Sequence, residues 1–293
     1  MKKITLIIVS FLSIISCTKT SEVVPEQNAK LSAYKLNVAF NSVISKNGLP
    51  KMAAKSVSGR ILEANEWIES YKDEVQSVSE TPKSFIDSVT NIILNSKIET
   101  TNSSGRISME DLILESGLSD TVSRYINIIN DSLTTSQSKY TQNGDSIEID
   151  KLALFLNITL TNIEKNVNQD KSLSIKSKNE ILISILTQKS GMKLMLTEFA
   201  KAGGYSVKNG RVEWNFLCWF GQFMCQTKYV LTYTFVRSAQ GAGGGAIIGT
   251  LFPGIGTVVG AVAGGAIGAG IGFIEGIIRV HVETKLVTEC KCK

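Results

Sequence analysis

Five cysteines are the residues of this chain best suited to covalent chemistry, and four of them lie toward its C-terminal end. Cys218 and Cys225 are seven residues apart, whereas Cys290 and Cys292 are separated by a single lysine. In an exported chain, four such cysteines predict two disulfides with three possible pairings. The competing chemistry is zinc coordination, but this pair of spacings is not a usual zinc pattern. We therefore expect disulfides and no metal site.

Histidine-based catalysis would depend on His281 alone, because the chain has one histidine. It lies between Val280 and Val282 in an alternating stretch, a position typical of the solvated face of a strand. The glycines of 241–249 lack the following Lys-Ser/Thr that a phosphate-binding loop needs. Asn143-Gly144-Asp145 lacks the later ligands of a calcium loop. The sequence therefore predicts a protein that is not an enzyme and holds no cofactor.

Glycine is the second residue type with an informative spacing, since fourteen of the 24 glycines fall within 241–276. Two ladders with a four-residue repeat flank Pro253: Gly241, Gly245 and Gly249 precede it, and Gly256, Gly260, Gly264, Gly268, Gly272 and Gly276 follow it. Residues four apart share one face of a helix, so each ladder predicts a groove free of side chains. Such grooves let two helices approach closely, as small residues do between helices inside membranes.

The phase of the second ladder predicts how substitutions should behave. Gly264→Leu and Gly268→Leu should block a close approach of helices, although either change raises intrinsic helix propensity. The off-ladder change Gly270→Ala should be neutral or stabilising. A flexible linker would need glycine but no such phase.

The ladders lie in an apolar segment, 238–274, that contains no charged residue. Pro253-Gly254 is a turn dipeptide near its middle. The arm 255–274 would be about 30 Å long as a helix, enough to cross the core of a bilayer, whereas the arm 239–252 would be only about 21 Å long. A two-pass membrane hairpin, a shallow wedge and a hairpin buried in a protein core all remain open.

Two alternating stretches bracket the apolar segment and predict strands. Residues 228–237 place Tyr229, Leu231, Tyr233 and Phe235 on one face, and residues 279–288 alternate in the same way. We expect these stretches to pair as an antiparallel, two-stranded stem below a helical hairpin. That stem would place Cys225 opposite Cys290 and Cys218 near Cys292. Closing a loop of about 65 residues would stabilise the fold by roughly 4 kcal/mol in the loop-entropy model.

Residues 29–204 predict a domain of amphipathic helices, so the fold class is mainly α. Apolar residues recur at helical spacing in three stretches. They are Val122, Tyr125, Ile126, Ile129 and Leu133; Leu152, Leu156, Leu160, Ile163 and Val167; and Ile181, Ile185, Met192 and Leu196. Gly203-Gly204 is expected to end the last of these helices. Such faces are typical of a protein core.

The N-terminus has the organisation of a secretory signal. Lys2 and Lys3 precede an apolar run, 4–15, that is too short to span a bilayer. The tetrad Ile14-Ile15-Ser16-Cys17 resembles the lipobox of bacterial lipoproteins. The resemblance implies removal of residues 1–16, acylation of Cys17 and a lipidated tether over 17–28. Lys19 follows Cys17 without an adjacent aspartate, which by resemblance to the sorting rules of enteric bacteria favours the outer membrane. An ordinary signal peptide is the alternative.

Charge argues against a nucleic-acid partner. Without Lys2 and Lys3 the chain has 29 basic and 26 acidic side chains, a net charge of about +3. No basic run with interleaved aromatic residues is present. Membrane lipid and a second copy of the chain are therefore the partners that the sequence favours.

The glycine ladders also resemble the glycine-zipper segments of bacterial envelope lipoproteins and, more weakly, those of membrane-active bacteriocins. Residues 205–293 are expected to form a disulfide-stapled module around the apolar segment. The first functional hypothesis is a lipid-anchored envelope protein, not catalytic, whose glycine zipper inserts into membrane or self-associates. The alternatives are a membrane-permeabilising, bacteriocin-like toxin and an adhesin-like lipoprotein that binds a partner through its helical domain.

Overall fold

The fold is mainly α-helical. A computed structural model describes residues 25–48, 62, 64–79, 81–96, 113, 118–140, 146–202, 207–208, 211–213 and 216–282. Within them the helices are α1 (Pro25–Asn47), α2 (Asn65–Ser79), α3 (Lys83–Asn95), α4 (Asp120–Tyr140), α5 (Ile149–Gln169), α6 (Ile175–Ala202), α7 (Phe216–Leu251) and α8 (Gly256–Val282). The strands are β1 (Ser146–Glu148), β2 (Val207–Lys208) and β3 (Arg211–Glu213).

The amphipathic faces predicted for α4, α5 and α6 are confirmed. Every residue named for those faces is buried in a single hydrophobic core. Helix α6 ends at Ala202, directly before the glycine pair that was expected to stop it. The helical spacing of apolar residues was a reliable signal in α4 and α5 because each of these two helices has one buried and one solvated side. In α6, the residues from Glu180 to Ile185 are buried on every side.

A small antiparallel sheet joins the sequence between α4 and α5 to the sequence between α6 and α7. Its strand order is β1-β3-β2, with Ile147 opposite Val212 and Val207 opposite the same Val212. The strands are two or three residues long, so the sheet adds little core of its own. It lies in a different part of the chain from the stem that the sequence predicted.

The helices α7 and α8 form the centre of the fold. They pack antiparallel to each other as a long hairpin joined by residues 252–255. Helix α8 contacts α1, α2, α3 and α6, and α7 contacts α3, α4 and α6. The hairpin and the helices around it share one hydrophobic core. In this structure most of the hairpin is buried among the other helices, and its arrangement at a membrane stays a prediction.

The predicted strand over 228–237 is wrong, because these residues lie inside α7. The alternation of aromatic residues misled the prediction because every residue from Tyr229 to Ser238 is buried. A helix that is apolar on all sides carries no reliable periodicity. The second predicted strand, 279–288, begins with residues that belong to α8, and its remainder lies outside the described residues. The two-stranded stem is therefore not found among the residues that the structure describes.

The N-terminal segment with the predicted signal peptide and Cys17 lies outside the described residues. Helix α1 begins at Pro25, four residues before the predicted start of the helical domain at 29. Proline is well suited to the first turn of a helix, because its missing N–H would have no intrahelical partner there. The tether predicted over 17–28 therefore overlaps the start of α1 at residues 25–28. The boundary at 204–205 between the helical domain and the C-terminal module stays a prediction.

Candidate membrane-contact site at the hairpin tip

The glycine ladders form the interface between α7 and α8. A Cβ atom on Gly241 or Gly245 would overlap the carbonyl oxygen of Gly264 or Gly260, respectively. The overlap is mutual, since a Cβ atom on Gly264 would meet the carbonyl oxygen of Gly241. Each of these approaches falls below 3.0 Å, which real Cβ atoms essentially never show. The ladders therefore exist because two helix backbones touch with no side chain between them.

The interface continues below the first ladder, where α7 contributes residues that are not glycine. A Cβ atom on Gly268 would overlap the carbonyl oxygen of Arg237, and one on Gly272 would lie 2.5 Å from that of Tyr233. At Gly276 the nearest atom is the Cα of Val230, at 2.9 Å. Along this part of the hairpin, the interface requires glycine on α8 but not on α7. The second ladder is therefore longer than the first.

Gly270 lies off the ladder but is not free to change, which corrects the expectation that Gly270→Ala is neutral. A Cβ atom there would overlap the ring of Tyr71 on α2. Tyr71 is fully buried and its hydroxyl donates a hydrogen bond to the carbonyl oxygen of Ala266 at 2.8 Å. The ring cannot move aside without losing that bond. Gly243 is the true neutral position, since nothing lies within 4 Å of its Cβ site.

A buried ion pair ties the hairpin to itself and to α3. The Arg237 guanidinium donates to both carboxylate oxygens of Glu275, through Nε at 2.6 Å and Nη2 at 3.0 Å. Its Nη1 also donates to the carbonyl oxygens of Ile93 and Ser96, both at 2.7 Å. These carbonyls belong to the C-terminal end of α3, where helices have unpaired acceptors and a partial negative charge. Arg237 of α7 thus bonds both to α8 and to the end of α3.

Glu275 stays ionised despite its burial. Burial alone would raise the pKa of its carboxyl group, but attraction and hydrogen bonds from Arg237, followed by those from Arg279, outweigh it. The pKa therefore lies below its ordinary value of 4.5. The Nε of Arg279 donates to Glu275 at 3.0 Å, and its guanidinium lies 5.2 Å from the centre of the Tyr233 ring. The two arginines thus compensate for the cost of burying the Glu275 charge.

The opposite end of the hairpin is a turn that glycine makes possible. Gly254 and Gly256 have φ angles of 87° and 70°, in the left-handed region that favours glycine. The backbone N–H of Ile255 donates to the carbonyl oxygen of Phe252 at 3.2 Å. We call residues 247–259 the hairpin tip. Gly256 was predicted as the first rung of the second ladder, but its own Cβ site is open, so its backbone conformation is what requires glycine there.

The hairpin tip is both apolar and exposed. The exposed fractions of Ile247 and Leu251 on α7 are 69% and 75%, and those of Val258 and Val259 on α8 are both 45%. Residues 238–274 contain no charged side chain, so no charge interrupts this surface along the hairpin. The glycine interface behind it is buried, as at Gly249 and Gly260. A rigid scaffold therefore presents apolar side chains to the outside.

Helix α3 supports the tip along one side of α7. Near the start of α3, the rings of Phe85 and Phe252 meet edge to face with their centres 5.7 Å apart. Further along, Ile92 lies against Gly244, and the end of α3 reaches Arg237. The start of α3 thus packs against the tip, and the end of α3 is hydrogen-bonded to Arg237.

One described helix segment, 256–279, is long and apolar enough to cross a membrane, with a mean hydropathy of 1.8. In this structure, 78% of its most apolar stretch is buried inside the protein. The buried core helix of a folded bundle passes the same test of length and hydropathy. The length and composition of α8 therefore do not decide between a membrane and a protein core.

Among the predicted cysteine sites, the structure describes Cys225, which is disulfide-bonded. Cys290 and Cys292 lie outside the described residues, and the side chain of Cys218 is not described. The part of the chain that is described contains no group of three or more histidine, cysteine, aspartate or glutamate side chains placed to hold a metal ion.

The sequence analysis missed the roles of Arg237, Glu275 and Tyr71. A usable signal existed for the first two, since they are the charges that flank the uncharged run on either side. Two opposite charges at equivalent ends of a hairpin are placed to pair. Tyr71 offered no such signal, because its partner Ala266 is 195 residues away. Comparison of the chain with family models, with curated proteins and with solved structures found no significant match.

Proposed function

We propose that this chain is a lipid-anchored protein of the bacterial cell envelope, not an enzyme, whose hairpin tip contacts membrane. The observation that carries the proposal is the exposure of Ile247, Leu251, Val258 and Val259 at the end of a buried, uncharged hairpin. Exposed apolar side chains that lie close together typically mark an interaction surface. A surface without charges favours the acyl region of a lipid leaflet over a polar partner.

The use of the glycine ladders favours membrane contact over self-association. Both ladders are occupied by each other within one chain, with backbone against backbone. A second copy would have to displace one helix of the hairpin to use the same grooves. The exposed tip needs no such rearrangement, because its side chains already face outward.

Acylation of Cys17 would keep the folded part of the protein close to the lipid surface. Helix α1 begins at Pro25, so eight peptide steps separate it from the proposed anchor. At about 3.5 Å per residue, this tether spans at most roughly 28 Å. A tether of this length would keep the start of α1 within about 28 Å of the lipid surface.

A disulfide at the base of the hairpin belongs to the same proposal. Cys225 is disulfide-bonded, and Cys218 lies seven residues earlier in the same helix. Seven residues of helix separate Cα atoms by about 10 Å, which exceeds the roughly 4.4–6.8 Å range of disulfides. With Cys17 acylated, Cys290 and Cys292 are the remaining partners. We favour Cys290, as the sequence did, and peptide mapping of the non-reduced protein tests the choice.

Vesicle flotation tests the function. The mature chain is exported behind an ordinary signal peptide with Cys17→Ser, so that no acyl chain contributes to binding. We expect it to float with phosphatidylcholine vesicles, and Leu251→Asp together with Val259→Asp should abolish flotation. The matched control is Leu154→Asp on α5, where the leucine is also more than half exposed. Equal flotation of all three proteins, or of none, would contradict the proposal.

A membrane-permeabilising toxin is the second candidate, and α8 is the observation that favours it. Its segment 256–279 has the length and hydropathy of a membrane span. This function would require the hairpin to leave the helices around it and to cross the bilayer. Leakage of a dye from the same vesicles separates this candidate from simple membrane contact.

A further inference from the structure

We propose that the hairpin tip docks in the interfacial region of a single lipid leaflet while the bundle stays folded, and that no part of the hairpin crosses the bilayer. This inference rests on the proposed membrane contact and specifies how it occurs. Three features of the hairpin carry it: the length of its shorter arm, the turn at its end, and the place where exposure stops.

The shorter arm sets the first limit. From Ser238 to Leu251, α7 has 14 residues without charge and is about 21 Å long. The hydrocarbon core of a bilayer is about 30 Å thick. With Arg237 at one surface, the turn would stop inside the hydrocarbon and could not reach the far headgroups. Carrying Arg237 and Glu275 inward would move a buried ion pair into lipid.

The turn sets the second limit. Residues 252–255 are not helical, so their peptide groups do not all have intrahelical partners. Inside hydrocarbon, each unsatisfied peptide group costs several kcal/mol, and irregular backbone facing lipid is not found at that depth. A hairpin stopping midway would place its turn there. The turn is therefore compatible with the headgroup region and not with the bilayer centre.

The distribution of exposure agrees with a shallow position. Exposed side chains occur over 247–259, whereas α8 is buried or half-buried from Gly260 to Arg279. The exposed part of each arm is four or five residues, about 6–8 Å of helix. Amphipathic segments that lie in the interface bury their apolar face by about 5–10 Å. The apolar surface that the folded protein already offers thus has the depth of the interface.

The helices around the hairpin oppose deeper insertion. Moving the hairpin out along its axis would remove Arg237 from the carbonyl oxygens of Ile93 and Ser96. It would also break the hydrogen bond from Tyr71 to Ala266 and the one from Gln188 Nε2 to Thr234 Oγ1, which measures 2.9 Å. Shallow docking keeps all of these contacts. It also buries the exposed apolar side chains of the tip without rearranging the fold.

Depth-dependent quenching of tryptophan tests the inference on the full lipidated chain, reconstituted in phosphatidylcholine vesicles. The reporter is Leu251→Trp, and the control is Leu154→Trp on α5. Each spectrum is corrected for the three native tryptophans with the unsubstituted protein. The vesicles contain lipids brominated either near the headgroup or near the end of the acyl chain. We expect emission from the tryptophan introduced at the tip to be quenched at least twofold more by the first lipid than by the second. The control should be quenched by neither lipid.

The other outcomes overturn distinct statements. Stronger quenching by bromine near the chain ends, or quenching by an ion enclosed inside the vesicles, would overturn the interfacial position and leave membrane contact intact. No quenching by either lipid would overturn the proposed membrane contact itself. A blue shift of emission that grows with protein concentration without lipid would overturn it too, by placing the tip against a second copy.

Hydrogen exchange tests whether the bundle stays folded. Amide exchange of residues 260–278 is compared with and without vesicles, on the same full chain. We expect the rates to change by less than twofold, because shallow docking leaves α8 buried. An acceleration of tenfold or more would show that the hairpin leaves the bundle and would overturn the inference. Dye retained inside the vesicles throughout is the accompanying result that we expect.

Discussion

At the scale of single residues, three glycines of one segment differ in what they contribute. Gly264 faces the backbone of the other arm, Gly270 faces the buried ring of Tyr71, and Gly243 faces open space. The four-residue repeat identified Gly264 correctly. It failed at Gly270 because a repeat within one helix carries no information about a side chain on α2.

Alanine substitutions separate these roles. Gly264→Ala should destabilise the protein by about 2 kcal/mol or more, because overpacking of a tight interface outweighs the gain in helix propensity. Gly270→Ala should also destabilise, by displacing Tyr71. Gly243→Ala is the matched control and should be neutral or stabilising by up to about 1 kcal/mol. Urea unfolding followed by circular dichroism measures all three, and equal stability of the three variants would disprove the interface.

Removing one partner of the Arg237–Glu275 pair should strongly destabilise the fold. Arg237→Met leaves the Glu275 carboxylate buried with Arg279 and removes the donor for two carbonyl oxygens of α3. Removing one partner of a buried pair typically costs about 3–5 kcal/mol. We expect a loss of that size in the free energy of unfolding. Arg124→Met, at an arginine whose side chain is 59% exposed, is the control and should cost less than about 1 kcal/mol.

Acid should weaken the fold through the same carboxylate. The pKa of Glu275 is lower in the folded protein than its ordinary value of 4.5. The stabilisation is therefore fully present above about pH 4.5 and is lost as the pH falls toward the lower, folded-state pKa. Glu275→Gln should remove this part of the pH dependence. Unfolding free energies of both proteins, measured from acid to neutral pH, check it, and parallel curves would contradict it.

At the scale of elements, sequence patterns worked where a helix has two different sides. Leu152, Leu156 and Leu160 of α5 form a buried face with solvent opposite, so their spacing identified the helix. In α7, Tyr229 and Val230 are both buried, as are their neighbours up to Ser238, and the alternation of aromatic residues had no structural meaning. The ends of the hairpin were more predictable, because Pro253-Gly254 requires a turn wherever it lies.

The turn between the arms should be sensitive to alanine for a different reason from the ladder. Gly254→Ala and Gly256→Ala place a Cβ atom in open space, but on a backbone with positive φ. Each should cost about 1–2 kcal/mol through backbone strain alone. The same change at Gly260 should cost more, because its Cβ would overlap the carbonyl oxygen of Gly245. Thermal unfolding of the three variants orders them, and a Gly256→Ala loss as large as that of Gly260→Ala would refute the distinction.

At the scale of the whole molecule, the α7–α8 hairpin and the helices that precede it share one core. Phe40 of α1 meets Phe273 of α8 edge to face at 5.4 Å, and Tyr71 of α2 bonds to the backbone of α8. The sequence could predict that α1, α2 and α8 each have apolar surface. It could not predict that they cover one another, because nothing local specifies a partner 195 residues away.

Removal of the hairpin tests how much the remaining helices depend on it. Residues 25–202 without α7 and α8 would expose Phe40, Tyr71 and the inner face of α6 to water. We expect this fragment to keep much of its helical circular dichroism but to bind a hydrophobic dye and to unfold without a cooperative transition. The full chain is the comparison. Sharp thermal unfolding of the fragment would instead support the separate helical domain that the sequence analysis predicted.

The position of the hairpin in the chain has a consequence for biosynthesis. Tyr71 leaves the ribosome 195 residues before Ala266, the residue to which it bonds. At about 5–20 residues per second, roughly 10–40 s pass before the partner exists. During that time, the early helices carry apolar faces that α7 and α8 do not yet cover, and exposed apolar surface of this kind is prone to aggregation. The hairpin is synthesised after the helices that pack around it, so those helices can complete their shared core only once α7 and α8 have been made.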